Sequence, residues 1–286
     1  MAIEHSKSRK LKLPKTILDK IEELPALPQV VGKIRQLIGD DHCDAKKITK
    51  VIETDQAIAT KILKIANSAY YGFSGRISSI QHASVVLGQQ TLVDIVTAAG
   101  AEAVLDGKLP GYGYESKDLW EHSLAVAIGS RLIAGRHNSA LTNDAYTAGL
   151  IHDIGKIILD DYILAQKDAI FAFMEAAEKT FLEVETHFFK INHAEIACEV
   201  CHIWNFPESI GTAIKDHHRP SQSADNDLAF VLHMADCIAR LSGIGYDDDD
   251  FLYEMEEGTM AHLGLKQEDV SEIGFKVADS VSKMDI

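Results

Sequence analysis

The 286-residue chain is 46% hydrophobic, enough to bury a substantial core as one large domain or two small ones. Its 43 acidic against 28 basic residues leave a net charge of -15, which repels phosphate backbones and anionic membrane surfaces and argues against direct nucleic-acid binding. No segment approaches about eighteen consecutive apolar residues, and the N-terminal MAIEHSKSRKLKLPK has no apolar secretory core. The sequence therefore points to a cytoplasmic protein whose four cysteines stay reduced.

Helical signals run along the whole chain. Pro28 opens a run with apolar residues at Val30, Val31, Ile34, Leu37 and Ile38, the spacing of a core-facing stripe. Asp44 and Asp55 read as N-caps of the next two helices, and Ser79 and Thr91 as caps further on, with Gly72, Gly75 and Gly88 in the loops. After the glycine-rich loop at 107–114, helical patterns occupy 116–136, 144–160, 165–178, 181–190, 193–205, 208–217 and 227–242. Thr180 with Glu183, and Asn192 with Glu195, have capping-box spacing. Nothing alternates with period two, so the expected class is all-α. The run YDDDDFLYEMEE lacks the alternating ligands and glycine of a calcium loop and reads as a solvated acidic connection before a final helical pair.

Cys198-Glu-Val-Cys201-His202 has the spacing of a c-type haem attachment site. It falls inside an amphipathic helix bounded by Asn192 and Pro207, and no export signal accompanies it. The expected role of the two cysteines is to fill the core, three apart on one helix face.

The stretch GLIHDIGK, 149–156, sets His152 and Asp153 in an apolar run, where burying both costs several kcal/mol unless each finds a partner. On a continuous helix the two side chains point about a hundred degrees apart and can share one ion only across their common edge. His122, His193, His217, His218 and Asp236 lie at positions where helices can bring them to this pair, and Asp118, one turn before His122, offers a further carboxylate. Imidazole nitrogen with carboxylate oxygen suits Mn, Fe, Ni or Zn. Lys156, one turn after His152, reads either as a phosphate contact or as a solvated lysine. Tyr70, Tyr71 and Phe73 read as base-stacking or, more simply, as packing residues.

The order His122, His152-Asp153, Asp236 resembles the H…HD…D ligands of the HD superfamily of metal-dependent phosphohydrolases. The segments LPALPQVVGKIRQLI (24–38), IETDQAIATKILKIANSAYYG (52–72), SSIQHASVVLG (78–88) and HAEIACEVCHIWNFPESIGTAIKDHHRP (193–220) resemble the HDOD domain, the HD-related output domain of bacterial signalling proteins. This resemblance implies an N-terminal extension over 1–20, an N-terminal helical part over 21–110, an HD-like metal-binding part over 111–245, and an acidic connection with C-terminal helices over 246–286. HDOD domains commonly lack the metal ligands and act as non-enzymatic modules. This chain instead keeps His122, His152, Asp153, His193, His217, His218 and Asp236, the order of the HD-GYP phosphodiesterases, while HHRPSQSADND stands where that family continues towards its Gly-Tyr-Pro signature. The resemblance thus implies a signal-transduction output or adaptor protein with two divalent transition-metal ions and signalling-protein partners. The alternative is an active phosphohydrolase with a nucleotide or cyclic-dinucleotide ligand.

Overall fold

A computed structural model describes residues 15–24, 29–38, 45–177, 179–245 and 254–284. The described residues are all-α, with one isolated bridge between Leu109 and Tyr114. The N-terminal part comprises α1 (Lys15–Glu23), α2 (Gln29–Ile38), α3 (Ala45–Ile52), α4 (Gln56–Ala66), α5 (Ile80–Leu87) and α6 (Gln89–Leu105). Val31 and Ile34 of α2 are buried, as the apolar spacing requires. Asp55 caps α4 by accepting from the Ala57 and Ile58 amides, and Ser79 caps α5 by accepting from the His82 amide. Thr91 does not cap α6. Gly88, at φ +84°, turns α5 directly into α6, which begins at Gln89 and leaves Thr91 inside the first turn. Pro28 and Asp44 lie outside the described residues, as does most of the acidic run, at 246–253.

The second part comprises α7 (Asp118–His137), α8 (Thr142–Ile151), α9 (Gly155–Ala165), α10 (Lys167–Ala177), α11 (Phe181–Phe189), α12 (His193–Ile203), α13 (Glu208–Lys215), α14 (Asp227–Leu241), α15 (Thr259–His262) and α16 (Gln267–Met284). Both predicted capping boxes form, at the start of α11 and of α12. The single helix expected over 144–160 is two helices. Between them, residues 152–154 form a turn in which Ile154 N–H donates to the Ile151 carbonyl and Lys156 N–H to that of Asp153, tightening the ladder from four residues to three.

Helix α7 packs against α8, α14 and α16, and is buried over most of its length because its middle is built of small residues. A β-carbon on Gly149 would lie 2.5 Å from the Ala127 α-carbon, so α8 crosses α7 at a distance only glycine permits. Arg131 joins the two parts. Its guanidinium lies 2.8 Å from Asp94 on α6 and 3.9 Å above the ring centre of Tyr146. Tyr70 and Tyr71 pack partly buried against the core, while Phe73 is exposed. One apolar cluster runs from Ile17 to Met284.

Cys198 and Cys201 are buried in α12, with Gly211 of α13 against Cys198, and burial pushes the Cys198 thiol up to about 12. His202 points away, towards Glu199 and Glu208. No described helix is long and apolar enough to cross a membrane.

Candidate metal centre

Seven of the expected residues meet at the centre of the second part. His122 comes from α7, His152 and Asp153 from the turn after α8, and His193 from the first position of α12. His217 and His218 follow α13, and Asp236 lies on α14. His122, His152, Asp153, His217 and Asp236 are fully sealed from solvent. Oδ1 of Asp153 is the focus: Nε2 of His193, His152 and His217 lie 3.4, 3.5 and 3.9 Å from it. Its other oxygen is 3.9 Å from Nε2 of His122, which in turn is 3.1 Å from Asp236 Oδ1. His193 and His218 face each other through their Nε2 atoms at 2.8 Å.

The backbone fixes which nitrogen each ring offers. Nδ1 of His152, His217 and His122 lies 2.9, 2.6 and 3.2 Å from the carbonyls of Gly149, Ile214 and Ile244 respectively. A carbonyl only accepts, so each Nδ1 carries a proton and donates it. In a neutral ring Nε2 is then a bare lone pair, and none of these three meets a partner in hydrogen-bond geometry. Burial pushes His152 down to about 4 despite nearby Asp153, and His217 down to about 3. Burial, with His217 and His193 nearby, likewise holds His218 well below its ordinary value.

At neutral pH the lone pairs of His152 and His217 therefore face Asp153 Oδ1 with no proton between them. Burial alone would raise Asp153, yet His152 and Lys156 hold it well below the usual carboxylate range. Arg240 and His122 do the same for Asp236. Like partial charges converging in a dry interior repel strongly, and a cation among them reverses the sign. An ion about 2.1 Å from each ligand separates neighbouring ligand atoms by about 3.0–3.4 Å, close to the shorter spacings found here. The donor set fits a divalent transition metal, with His122–His152–Asp153, His152–His217–Asp236 and His193–His217–His218 each close enough to share an ion.

A supporting layer holds these ligands, and most of it escaped the sequence reading. Glu185 on α11 is fully buried and accepts from the His193 amide at 2.7 Å, with its other oxygen 2.9 Å from His193 Nδ1. This couple raises His193: burial alone would lower it, but Glu185 and Asp153 outweigh that. Tyr112, from the loop before α7, donates to Glu185 at 2.7 Å. Its neighbour Tyr114 accepts from Lys156 Nζ at 3.1 Å. His233 donates to the His217 carbonyl and accepts from the Glu256 amide. Arg240 donates to Asp236 at 3.1 Å.

Two residues stand elsewhere than expected. Lys156 is neither solvated nor open to a ligand phosphate: it is 1% exposed, and its ammonium lies 3.0 Å from Asp153. Asp118 is half-buried at the start of α7, where its carboxylate accepts from the Glu115 amide, and it joins none of the ligand groups. The His152-Asp153 pair sits in a turn, not on a continuous helix, and that turn lets both side chains aim at one point.

The turn depends on Gly155. A β-carbon there would lie 2.0 Å from the His193 carbonyl oxygen, so α9 starts in van der Waals contact with the backbone that carries a ligand. Gly155→Ala is expected to exceed the about 1–3 kcal/mol of ordinary overpacking, because the contact is with main chain, and to lower the bound metal as His193 is displaced. Thermal unfolding with elemental analysis checks this, and wild-type values in both would contradict it.

Solved structures share this fold. An HDOD domain protein of unknown function from Geobacter sulfurreducens aligns with TM-score 0.76 at 22% identity, covering 95% of this chain and 96% of that one. A Shewanella amazonensis SB2B protein named as a candidate phosphohydrolase aligns with TM-score 0.73 at 24% identity, covering 94% and 96%. A Marinobacter aquaeolei VT8 protein named as a candidate signal-transduction protein aligns with TM-score 0.72 at 22% identity, covering 96% and 61%. In sequence, an uncharacterized protein of Treponema pallidum (strain Nichols) is 29% identical over 213 residues, and the match spans 72% of this chain and 40% of that relative. The pattern of the HDOD domain matches residues 24–220, more than half of the chain, and the protein belongs to the HDOD domain family.

Proposed function

We propose that this chain is a cytoplasmic signal-transduction output module, built around a His/Asp centre for two divalent transition-metal ions and acting through protein partners. The observation that carries the reading is the pair of bare Nε2 lone pairs on His152 and His217 facing Asp153, with His122 Nε2 also aimed at its carboxylate, in a solvent-free interior. Asp153 lies between the two sides of the set, so one carboxylate could serve two ions. The sealing of Asp153 and the pairing of Lys156 with it favour a centre that holds the fold in a metal-dependent state over one that admits a substrate.

A second reading, a metal-dependent phosphohydrolase acting on a nucleotide or cyclic dinucleotide, has one observation in its favour. A cleft of about 450 Å3 reaches the centre at His218 and is lined by Lys179, Lys215 and Arg219, cations the sequence leaves scattered. Metal bound at such a centre supplies a hydroxide from water and neutralises charge on phosphate oxygens. Elemental analysis of protein purified without chelators, followed by turnover assays on cyclic dinucleotides, nucleotides and generic phosphodiesters, tests both. Metal without turnover supports the signalling module. Turnover lost in the His152→Ala, Asp153→Ala double variant supports the hydrolase, and absence of Mn, Fe, Ni and Zn after metal-supplemented growth overturns both.

A further inference from the structure

Away from the buried centre, three side chains from three helices converge on the surface. His137 is the last residue of α7, Asp227 the first of α14, and His262 the last of α15. The two oxygens of Asp227 each face one imidazole: Oδ2 is 3.1 Å from His137 Nε2, and Oδ1 is 2.9 Å from His262 Nε2. All three offer donor atoms within 4.8 Å of one another. We propose that His137, Asp227 and His262 form a second, solvent-accessible site for a divalent transition-metal ion of the zinc class, which fastens the C-terminal helices to the domain.

Several features distinguish this trio from a chance pair of surface hydrogen bonds. Ligands about 2.0–2.1 Å from a tetrahedral ion stand about 3.3 Å apart. Each imidazole is already near that distance from one Asp227 oxygen, and the three donor atoms lie within 4.8 Å of one another, so small side-chain rotations bring them to one ion. Asp227 is not occupied in capping its helix: the neighbouring Asn226 does that, accepting from the Leu228 amide. The His262 ring is held in place by stacking on Phe230, with centroids 3.8 Å apart and planes 12° from parallel. His137 lies at the C-terminal end of α7, where the helix dipole favours positive charge. Two imidazoles and one carboxylate, each partly exposed, leave the remaining coordination positions to water, a pattern suited to zinc.

The consequence would fall on α15 and α16. His262 belongs to the short α15, and the segment before it includes the acidic run at 246–253. An ion shared with α7 and α14 would cross-link this tail to two helices that also carry His122 and Asp236 of the buried centre.

Zinc alone is the probe, and the full chain is the sample. Equilibrium dialysis with elemental analysis is expected to show one zinc fewer per chain in His262→Gln and His137→Gln than in wild type. His202→Gln, at another surface histidine with carboxylate neighbours, should match wild type. Amide hydrogen exchange over residues 259–284 should slow in wild type by roughly tenfold at roughly ten times the dissociation constant, and should not respond in the variants. Should a histidine variant fail to fold, Asp227→Asn preserves the side-chain shape and removes the charge, with the same expected loss. Equal zinc content in wild type and folded variants, or zinc-independent exchange over 259–284 in wild type, overturns the proposal.

Discussion

Asp153→Ala is expected to empty the buried centre of metal and to destabilise the protein by about 3–5 kcal/mol, the range for removing one partner of a buried ion pair. Three imidazoles lie within 4 Å of one carboxylate oxygen and the Lys156 ammonium 3.0 Å from the other, so no other single side chain touches as much of the site. The variant leaves an ammonium with 1% exposure without its carboxylate, as well as imidazole lone pairs with nothing to converge on. That origin can be separated from the loss of metal. Adding Lys156→Met removes the stranded charge, so the double variant should recover part of the stability while remaining without metal. Denaturant unfolding and elemental analysis of the four proteins make the comparison. Full metal content in Asp153→Ala would remove this carboxylate from the centre, and a double variant less stable than Asp153→Ala would show that Lys156 contributes by packing and not by charge.

Acidification is the second large effect. His152, His217 and His218 have folded values lowered by burial, so the unfolded chain takes up protons that the native chain refuses. Their contribution to stability is complete above the unfolded value of about 6.5 and is lost as pH falls towards the folded values, about 4 for His152 and about 3 for His217. His193 has the opposite sign. Its raised value stabilises fully below about 6.5 and fades only as pH rises through that folded value. Below about pH 6 His193 is therefore charged in both states, and the other three set the slope, up to about 1.4 kcal/mol per pH unit each; nearer pH 7 it opposes them singly. Asp153 and Asp236, both lowered, keep their contribution until pH drops below about 3.9. Bound metal acts in the same direction, since its ligands must be unprotonated. The melting temperature should fall steadily from about pH 7 to about pH 5 with and without metal, and a flat or rising profile would contradict the assignment.

Much of the ligand set could be read from the chain because each member falls at a position of known geometry. His193 follows a capping Asn, and His217 and His218 follow a helix end, places where side chains leave the helix barrel and reach inward. The break at 152–154 was not legible, since GLIHDIGK keeps helical periodicity. What interrupts the ladder is the His193 backbone against Gly155, a contact between residues 38 apart that no local pattern carries. Lys156 was misplaced for a related reason: its burial depends on Tyr114, delivered by a loop 42 residues away. Glu185 did leave a trace. It occupies the apolar stripe of Phe181, Val184 and Phe188, where a carboxylate has no reason to sit unless something buried requires it. Arg240, one turn after Asp236, could have been paired with it by spacing alone. Thr91 failed as a cap because a glycine turn left no residue to spare, which residue preference does not record.

The clasp of three imidazoles, His122, His152 and His217, on main-chain carbonyls has a kinetic side. Rings anchored at Gly149, Ile214 and Ile244 are oriented before any ion arrives, so capture requires little rearrangement of the ligands. The same anchors, under a roof with no solvent exposure at five ligands, leave an ion seated among those five no way out except past the His218 side, where the cleft meets the centre, or by opening the helices that carry them. An ion seated among the five sealed ligands should therefore exchange with bulk metal far more slowly than one at the His218 side, because its release waits on the breathing of the fold.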